Sequence, residues 1–136
     1  MVPSVQSVTA GFMGATWQPV SQNVSGLGEA RGGNALGLEP TAQTWLATAF
    51  AWWWPDDDGK VHGLGNDIVS EIEAATASAQ NQLSYKFMND ASWSQQVIAS
   101  YSDDNVRKLR EVQTKYDPSL CFQRLVPGGF KLPTAP

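Results

Sequence analysis

The apolar positions of this chain repeat with two different periods, and the change of period marks out its elements. Residues 5–20, VQSVTAGFMGATWQPV, are rich in Val, Thr and aromatic residues and read as a strand, with Gly11 and Gly14 as bulge points and Pro19 towards its end. Residues 21–43 carry Gly26, Gly28, Gly32, Gly33, Gly37 and Pro40 and read as a long loop, a length usually kept for functional or moving segments. Residues 44–54, TWLATAFAWWW, are the most apolar run and favour a strand, although the alanines also suit a helix. Pro55 and Asp56-Asp57-Asp58-Gly59 then make a turn. Over 60–80 the period lengthens: Val61, Leu64, Ile68, Ile72 and Ala75 form one helical stripe, with Glu71 and Glu73 off it. Residues 83–89, LSYKFMN, alternate as a short strand. Ser102-Asp103-Asp104 is a helix start, because a short polar side chain caps free amides and carboxylates suit the positive end of the dipole. Val106, Leu109 and Val112 continue that helix, Lys115 suits its end, and Asp117-Pro118 stops it. The proline-containing tail from Val126 is expected to run extended over the surface.

These elements sum to an α+β fold in a single domain over 1–136, an antiparallel sheet with helices on one face. Side chains alternate faces along a strand. On 44–54 the even positions, Leu46, Thr48, Phe50, Trp52 and Trp54, are bulky and suit a helix layer. The odd positions, Trp45, Ala47, Ala49, Ala51 and Trp53, set small residues between two tryptophans. That shape leaves room for a ligand; it equally admits a close-packed helix or a partner subunit.

Composition narrows the function classes. Of 136 residues, 9 are Lys or Arg and 13 are Asp or Glu, for a net charge of −4. Nucleic-acid binding needs clustered cations to displace counterions, and the one basic cluster, Arg107, Lys108 and Arg110, follows acidic residues. One cysteine, Cys121, allows no intrachain disulfide and no Cys-rich zinc site; it is expected to be packed and inert. One histidine, His62, excludes sites that need two imidazoles, and it is expected to be solvent-exposed. Asp56, Asp57 and Asp58 read as a solvated turn and not as a metal site. No run is apolar and long enough for a membrane span, and the N-terminal residues have no signal-peptide pattern, so a cytoplasmic protein is expected, with Asn23-Val24-Ser25 an unused glycosylation sequon. Six tryptophans in so short a chain favour a pocket or a subunit interface.

Three segments carry a family resemblance: Phe87-Met88-Asn89-Asp90-Ala91; Ala99-Ser100-Tyr101 with Asn105-Val106, Leu109 and Val112; and Tyr116-Asp117-Pro118, Phe122-Gln123 and Val126-Pro127-Gly128-Gly129-Phe130-Lys131. Upstream, Trp17-Gln18-Pro19, Arg31-Gly32-Gly33-Asn34 and Trp54-Pro55 fit as well. In order and spacing the chain resembles the C-terminal, berberine-bridge-like region of FAD-linked oxidases, particularly fungal ones. The resemblance implies the later part of a substrate domain, whose sheet lies over the flavin, and a C-terminal segment that returns to it. The flavin-anchoring domain has no counterpart here, so no cofactor is expected in the isolated chain, whereas FAD is the cofactor of the resembled family. Phe87 stands where the family usually has Tyr, Asn89 is kept, and Ala49 falls where some members carry an acid/base Glu or Gln.

The site candidates follow. Tyr85 and Asn89, four residues apart on one face of the short strand, are candidate catalytic groups; Trp17, Asn34, Trp45, Ala49, Trp53 and Phe87 are candidate substrate contacts, and no residue is assigned to a cofactor or metal. A structural tyrosine and an asparagine that merely caps a turn are the plain alternatives. The 26–38 glycine segment is expected to move over the pocket. Three functions fit: a stand-alone, cofactor-free isomerase or cyclase acting on a small hydrophobic substrate by orienting it; a FAD-dependent oxidoreductase as a fragment or subunit of a larger flavoenzyme; and a non-catalytic binding module. An exposed apolar sheet face predicts a homodimer.

Overall fold

The computed structural model describes Val8, residues 10–77, Ala79 and residues 82–133. Its contacts group into two compact units, Met1–Gln18 with Trp45–Leu83 and Pro19–Thr44 with Ser84–Pro136. Residues 5–7 of the expected first strand, the last turn expected of the 60–80 helix and the end of the tail lie outside the described residues. The class is α+β: a two-stranded antiparallel sheet with helices.

The first unit is built on that sheet. Strand β1 is Phe12–Val20, and strand β2 is Gln43–Ala51, the apolar run. Trp54 leads into a single 3-10 turn, Pro55–Asp57, which feeds helix α2, Asp58–Ala77. Most of the predicted stripe faces inward on α2: Val61 and Leu64 are buried and Ile68 and Ile72 half-buried, whereas Ala75 is exposed. The even face of β2 meets the helix as expected. A Cβ built on Gly65 would lie 3.4 Å from the Phe50 ring, so the missing side chain lets the ring close onto the helix backbone.

The acidic turn differs from its expectation. Asp57 is buried and its carboxylate takes the Lys60 ammonium at 2.7 Å. The indole N–H of Trp52 donates to Asp58 Oδ1 at 2.6 Å, and its ring meets His62 edge-on at 5.4 Å. These carboxylates sit at the amide end of a long helix, where negative charge is favoured; Asp57 is buried, whereas Asp56 and Asp58 are exposed as expected.

In the second unit, the segment read as a long glycine loop begins with helix α1, Gln22–Ala30. Gly26 and Gly28 obscure it, since a helical glycine costs about 1 kcal/mol relative to alanine. Ser25, almost wholly buried, donates its hydroxyl to the Gln22 carbonyl. The end of α1 is a Schellman motif: Gly33 N–H donates to Gly28 O at 3.0 Å and Gly32 N–H to Glu29 O at 3.1 Å. Gly32 has φ +102°, which a glycine adopts without a Cβ penalty. The turn after it is closed by Asn34, whose Oδ1 accepts from Leu36 N–H at 2.8 Å and Gly37 N–H at 3.0 Å. A helix and a bonded turn thus stand where the sequence read a loop.

The 83–89 strand does not form. Those residues form no strand and run into a 3-10 turn, Met88–Asp90. Alternation alone does not make a strand. A second 3-10 turn, Ile98–Ser100, precedes helix α3, Asp103–Tyr116, where Ser102 Oγ accepts from Asn105 N–H at the expected cap. Val106 is buried and Leu109 half-buried, but Val112 is exposed. An unexpected short helix α4, Cys121–Arg124, follows, its first amides held by the Asp117 carboxylate at 2.7 and 3.0 Å. Cys121 is exposed, not packed. The tail is not a free extended strand. Lys131 Nζ donates to Phe122 O and Val126 O at 2.9 Å, and Arg110 donates to Pro133 O at 2.8 Å.

Two backbone positions give opposite stability predictions. Gly37 has φ +70°, and a Cβ there would lie 2.5 Å from Tyr101 O and 2.7 Å from Asn105 Nδ2. Gly37→Ala is expected to destabilise by about 1–3 kcal/mol from backbone strain, with the clash added. Ser102 has φ 68° and ψ 149°, a region nearly confined to glycine. Its capping bond is long, 3.5 Å, and exchanging a Ser cap for Gly costs only a few tenths of a kcal/mol. Ser102→Gly is therefore expected to raise the unfolding free energy by about 1 kcal/mol in denaturant titration, because relief of strain outweighs the lost cap. A fall would show that the cap dominates.

Candidate functional site

The candidate residues divide between the two units. Trp17, Trp45, Ala49 and Trp53 belong to the first; Asn34, Tyr85, Phe87 and Asn89 belong to the second.

In the first unit the odd face of β2 grades from half-buried to open. Trp45 and Ala47 are half-buried, Ala49 and Ala51 are exposed, and Trp53, just past the strand, is 73% exposed. Trp17 on β1 is 67% exposed. The three alanines thus make a shallow apolar floor along one strand, flanked by indoles. Such a surface recognises a flat hydrophobic group by area and stacking rather than by polar contacts.

In the second unit the polar chemistry centres on two phenols. Ser100 Oγ accepts the Lys86 N–H at 2.9 Å and donates to Val97 O at 2.6 Å. These two bonds pin the 84–87 segment against the turn before α3. Tyr85 consequently stacks on Tyr101, with ring centroids 5.6 Å apart and planes 21° from parallel. Tyr101 is buried, and its hydroxyl has no hydrogen-bond partner among the described residues. Desolvation first, and the neighbouring Tyr101 second, push the Tyr85 hydroxyl up to about 12. Burial raises Tyr101 as well. Both phenols therefore keep their protons at neutral and mildly alkaline pH. Each is a donor or an acid, and neither is a phenolate base.

Phe87 is half-buried beside this pair in sequence, whereas Asn89 is exposed in the 3-10 turn. Tyr85 and Asn89 do not share a strand face, since no strand forms there. Asn34 spends its Oδ1 on its own turn. Sequence reading passed over Tyr101 and Ser100 as site residues. No local spacing signals a stack across sixteen positions, although both lie in the Ala99-Ser100-Tyr101 segment that carried the resemblance. Among the described residues no cluster of His, Cys, Asp or Glu could hold a metal, and no helix is long and apolar enough to cross a membrane.

The residues present do not fit the phosphate end of a dinucleotide. Helices α2 and α3 both begin with carboxylates, Asp58 and Asp103-Asp104, which repel a pyrophosphate where helix amides would otherwise attract it. The amides around Gly32, Gly33 and Gly37 are used in closing their own turns.

Comparison with known proteins places the chain. It is 34% identical over 131 residues to the bifunctional solanapyrone synthase of Alternaria solani, covering 96% of this chain and 25% of that protein. It is 37% identical over 113 residues to a FAD-dependent monooxygenase of Arthrobotrys oligospora, covering 83% of this chain and 22% of that protein. A FAD-dependent monooxygenase of Fusarium proliferatum is 36% identical over 119 residues, covering 85% and 23%. The relatives named as FAD-dependent monooxygenases are fungal. The chain spans about a quarter of their length. No family model matches it, and no solved structure does.

The phenol pair gives a pH prediction. Tyr85 is raised in the folded chain, so its contribution to stability is complete below the ordinary tyrosine value near 10 and is lost as pH rises through about 12. In that window the unfolded chain releases a proton that the folded chain keeps. Tyrosinate absorbance during alkaline titration should show two of the three tyrosines ionising late, in step with unfolding. Tyr85→Phe should flatten the stability loss between about pH 10 and 12. Early ionisation of all three, with the fold intact, would refute the buried pair.

Proposed function

We propose that this chain is the substrate-facing portion of a FAD-dependent oxidoreductase of fungal secondary metabolism, with the flavin held outside these 136 residues. The observation that carries this reading is the alignment: up to nearly the whole chain matches about a quarter of proteins named as FAD-dependent monooxygenases, and of a solanapyrone synthase. The alanine floor between Trp45 and Trp53 supports a flat hydrophobic substrate. In the second unit, taken by itself, Tyr85, protonated and partly buried, serves as a hydrogen-bond donor or acid, and Asn89, exposed in its turn, adds a polar group there. FAD supplies hydride and oxygen chemistry when bound; this chain's residues bind and orient the substrate and hold a proton on the Tyr85 hydroxyl.

A cofactor-free isomerase or cyclase ranks second, because the relatives' names speak for flavin. The acidic helix starts support the same order. They disfavour a dinucleotide at those two helix ends, which supports a flavin held by other sequence.

Flavin titration of the isolated chain, followed by fluorescence quenching, is expected to show no stoichiometric binding. Replacing the matched quarter of the Arthrobotrys oligospora enzyme by this chain should give a yellow protein that oxidises a hydrophobic substrate. In that chimaera Ala49→Phe should lower kcat/KM about tenfold or more by filling the floor. In the isolated chain the same change should leave melting unaltered, since Ala49 is exposed. A colourless chimaera would sink the proposal, as would tight flavin binding by the chain alone.

A further inference from the structure

Tyr101 is only 3% exposed, yet its hydroxyl has no hydrogen-bond partner among the described residues. Such a hydroxyl is uncommon, because the bonds it loses to water are not offset by a bond within the chain. Phenylalanine would fill the same space without that cost. A tyrosine at this position therefore points to a bond with something outside the chain.

The residue is also held firmly by its neighbours. Ser100, before it, is fixed by a hydroxyl that accepts from Lys86 N–H and donates to Val97 O. Ser102, after it, has φ 68° and ψ 149°, a strained region for serine. Gly37 lies so close to the Tyr101 carbonyl that an added Cβ would be 2.5 Å from it. The Tyr85 ring stacks on the Tyr101 ring. Backbone strain persists only where the surroundings over-determine it, and it clusters at ligand sites. The unpartnered hydroxyl is thus a preorganised group.

We infer that the Tyr101 hydroxyl is a ligand-binding donor, and that its acceptor is the carbonyl oxygen of a neutral small molecule with an apolar body. This rests on the reading of the chain as substrate-facing and extends it to the chemistry of the ligand. A phenol O–H donates more readily than it accepts, since the ring draws on the oxygen lone pair. The surroundings then choose between neutral and charged acceptors. Burial keeps the protons on both Tyr85 and Tyr101, and the same desolvation disfavours a carboxylate or a phosphate. A ketone oxygen accepts the bond without bringing a charge into that space. The stacked Tyr85 ring supplies apolar surface beside it. Entry requires local opening of 84–87, which forms no strand, and irregular segments open at less cost than core elements.

Two probes of one shape test this on the chain without flavin: acetophenone, and α-methylstyrene, which carries a methylene group in place of the oxygen. Calorimetric titration is expected to show acetophenone binding about tenfold more tightly. Tyr101→Phe should bring the two probes to equal affinity and move the infrared carbonyl stretch of the bound ketone to the higher frequency of an unbonded carbonyl. The same change should leave the melting temperature unchanged or higher, because the unpartnered hydroxyl is gone. Equal affinity of the two probes for the parent chain, binding by neither included, would overturn the inference. So would a ketone preference that survives Tyr101→Phe. A variant that melts earlier or fails to fold would overturn it too, since the hydroxyl would then have a structural partner. Each of these failures leaves the flavoenzyme reading standing, because the colour of the chimaera tests that reading separately.

Discussion

The Ser100 hydroxyl ties together two stretches of the second unit that share no ladder. It accepts from the Lys86 amide and donates to the Val97 carbonyl, so one side chain joins an irregular segment to the turn that launches α3. It helps to hold 84–87, where no strand forms. The Tyr85–Tyr101 stack lies beside this tie. Burial first and the neighbouring Tyr101 second raise the Tyr85 hydroxyl above its ordinary value. Gly37 packs close to the Tyr101 carbonyl, since only a residue without Cβ can approach it so closely.

The first unit shows the opposite economy. Val8, Val61 and Leu64 are its buried apolar residues among those described, while Phe12, Trp17, Trp53 and Trp54 stand exposed. Each exposed aromatic forgoes on the order of 1.5–3 kcal/mol of burial. A chain rarely leaves that much apolar surface in water on one small sheet unless other protein covers it. The chain matches about a quarter of the length of its fungal relatives.

The sequence was informative where periodicity and packing agreed. The α2 stripe was legible from Val61, Leu64, Ile68 and Ile72, and the division of β2 into a bulky and a small face was legible from alternation alone. Phe50 against Gly65 bears out the bulky half. Helix α1 was hidden because Gly26 and Gly28 argue locally against it, and its Schellman ending was mistaken for loop. The 83–89 alternation has the pattern of a strand, and the segment instead runs into a 3-10 turn. Cys121 was expected to be packed by residue type, but the short helix α4 turns it outwards. The phenol stack was not legible at all, since it is made by a tie between residues far apart in sequence.

The stretch from Gly28 to Gly37 has a kinetic meaning. Its Schellman bonds and the Asn34 turn each span five residues or fewer. Contacts so close in sequence carry little loop-closure entropy and form on the microsecond scale or faster. The segment can therefore be assembled before the long-range contact of Gly37 with Tyr101 is made. It then presents a ready-shaped corner to the α3 region, which shortens the conformational search that this late, distant contact would otherwise require.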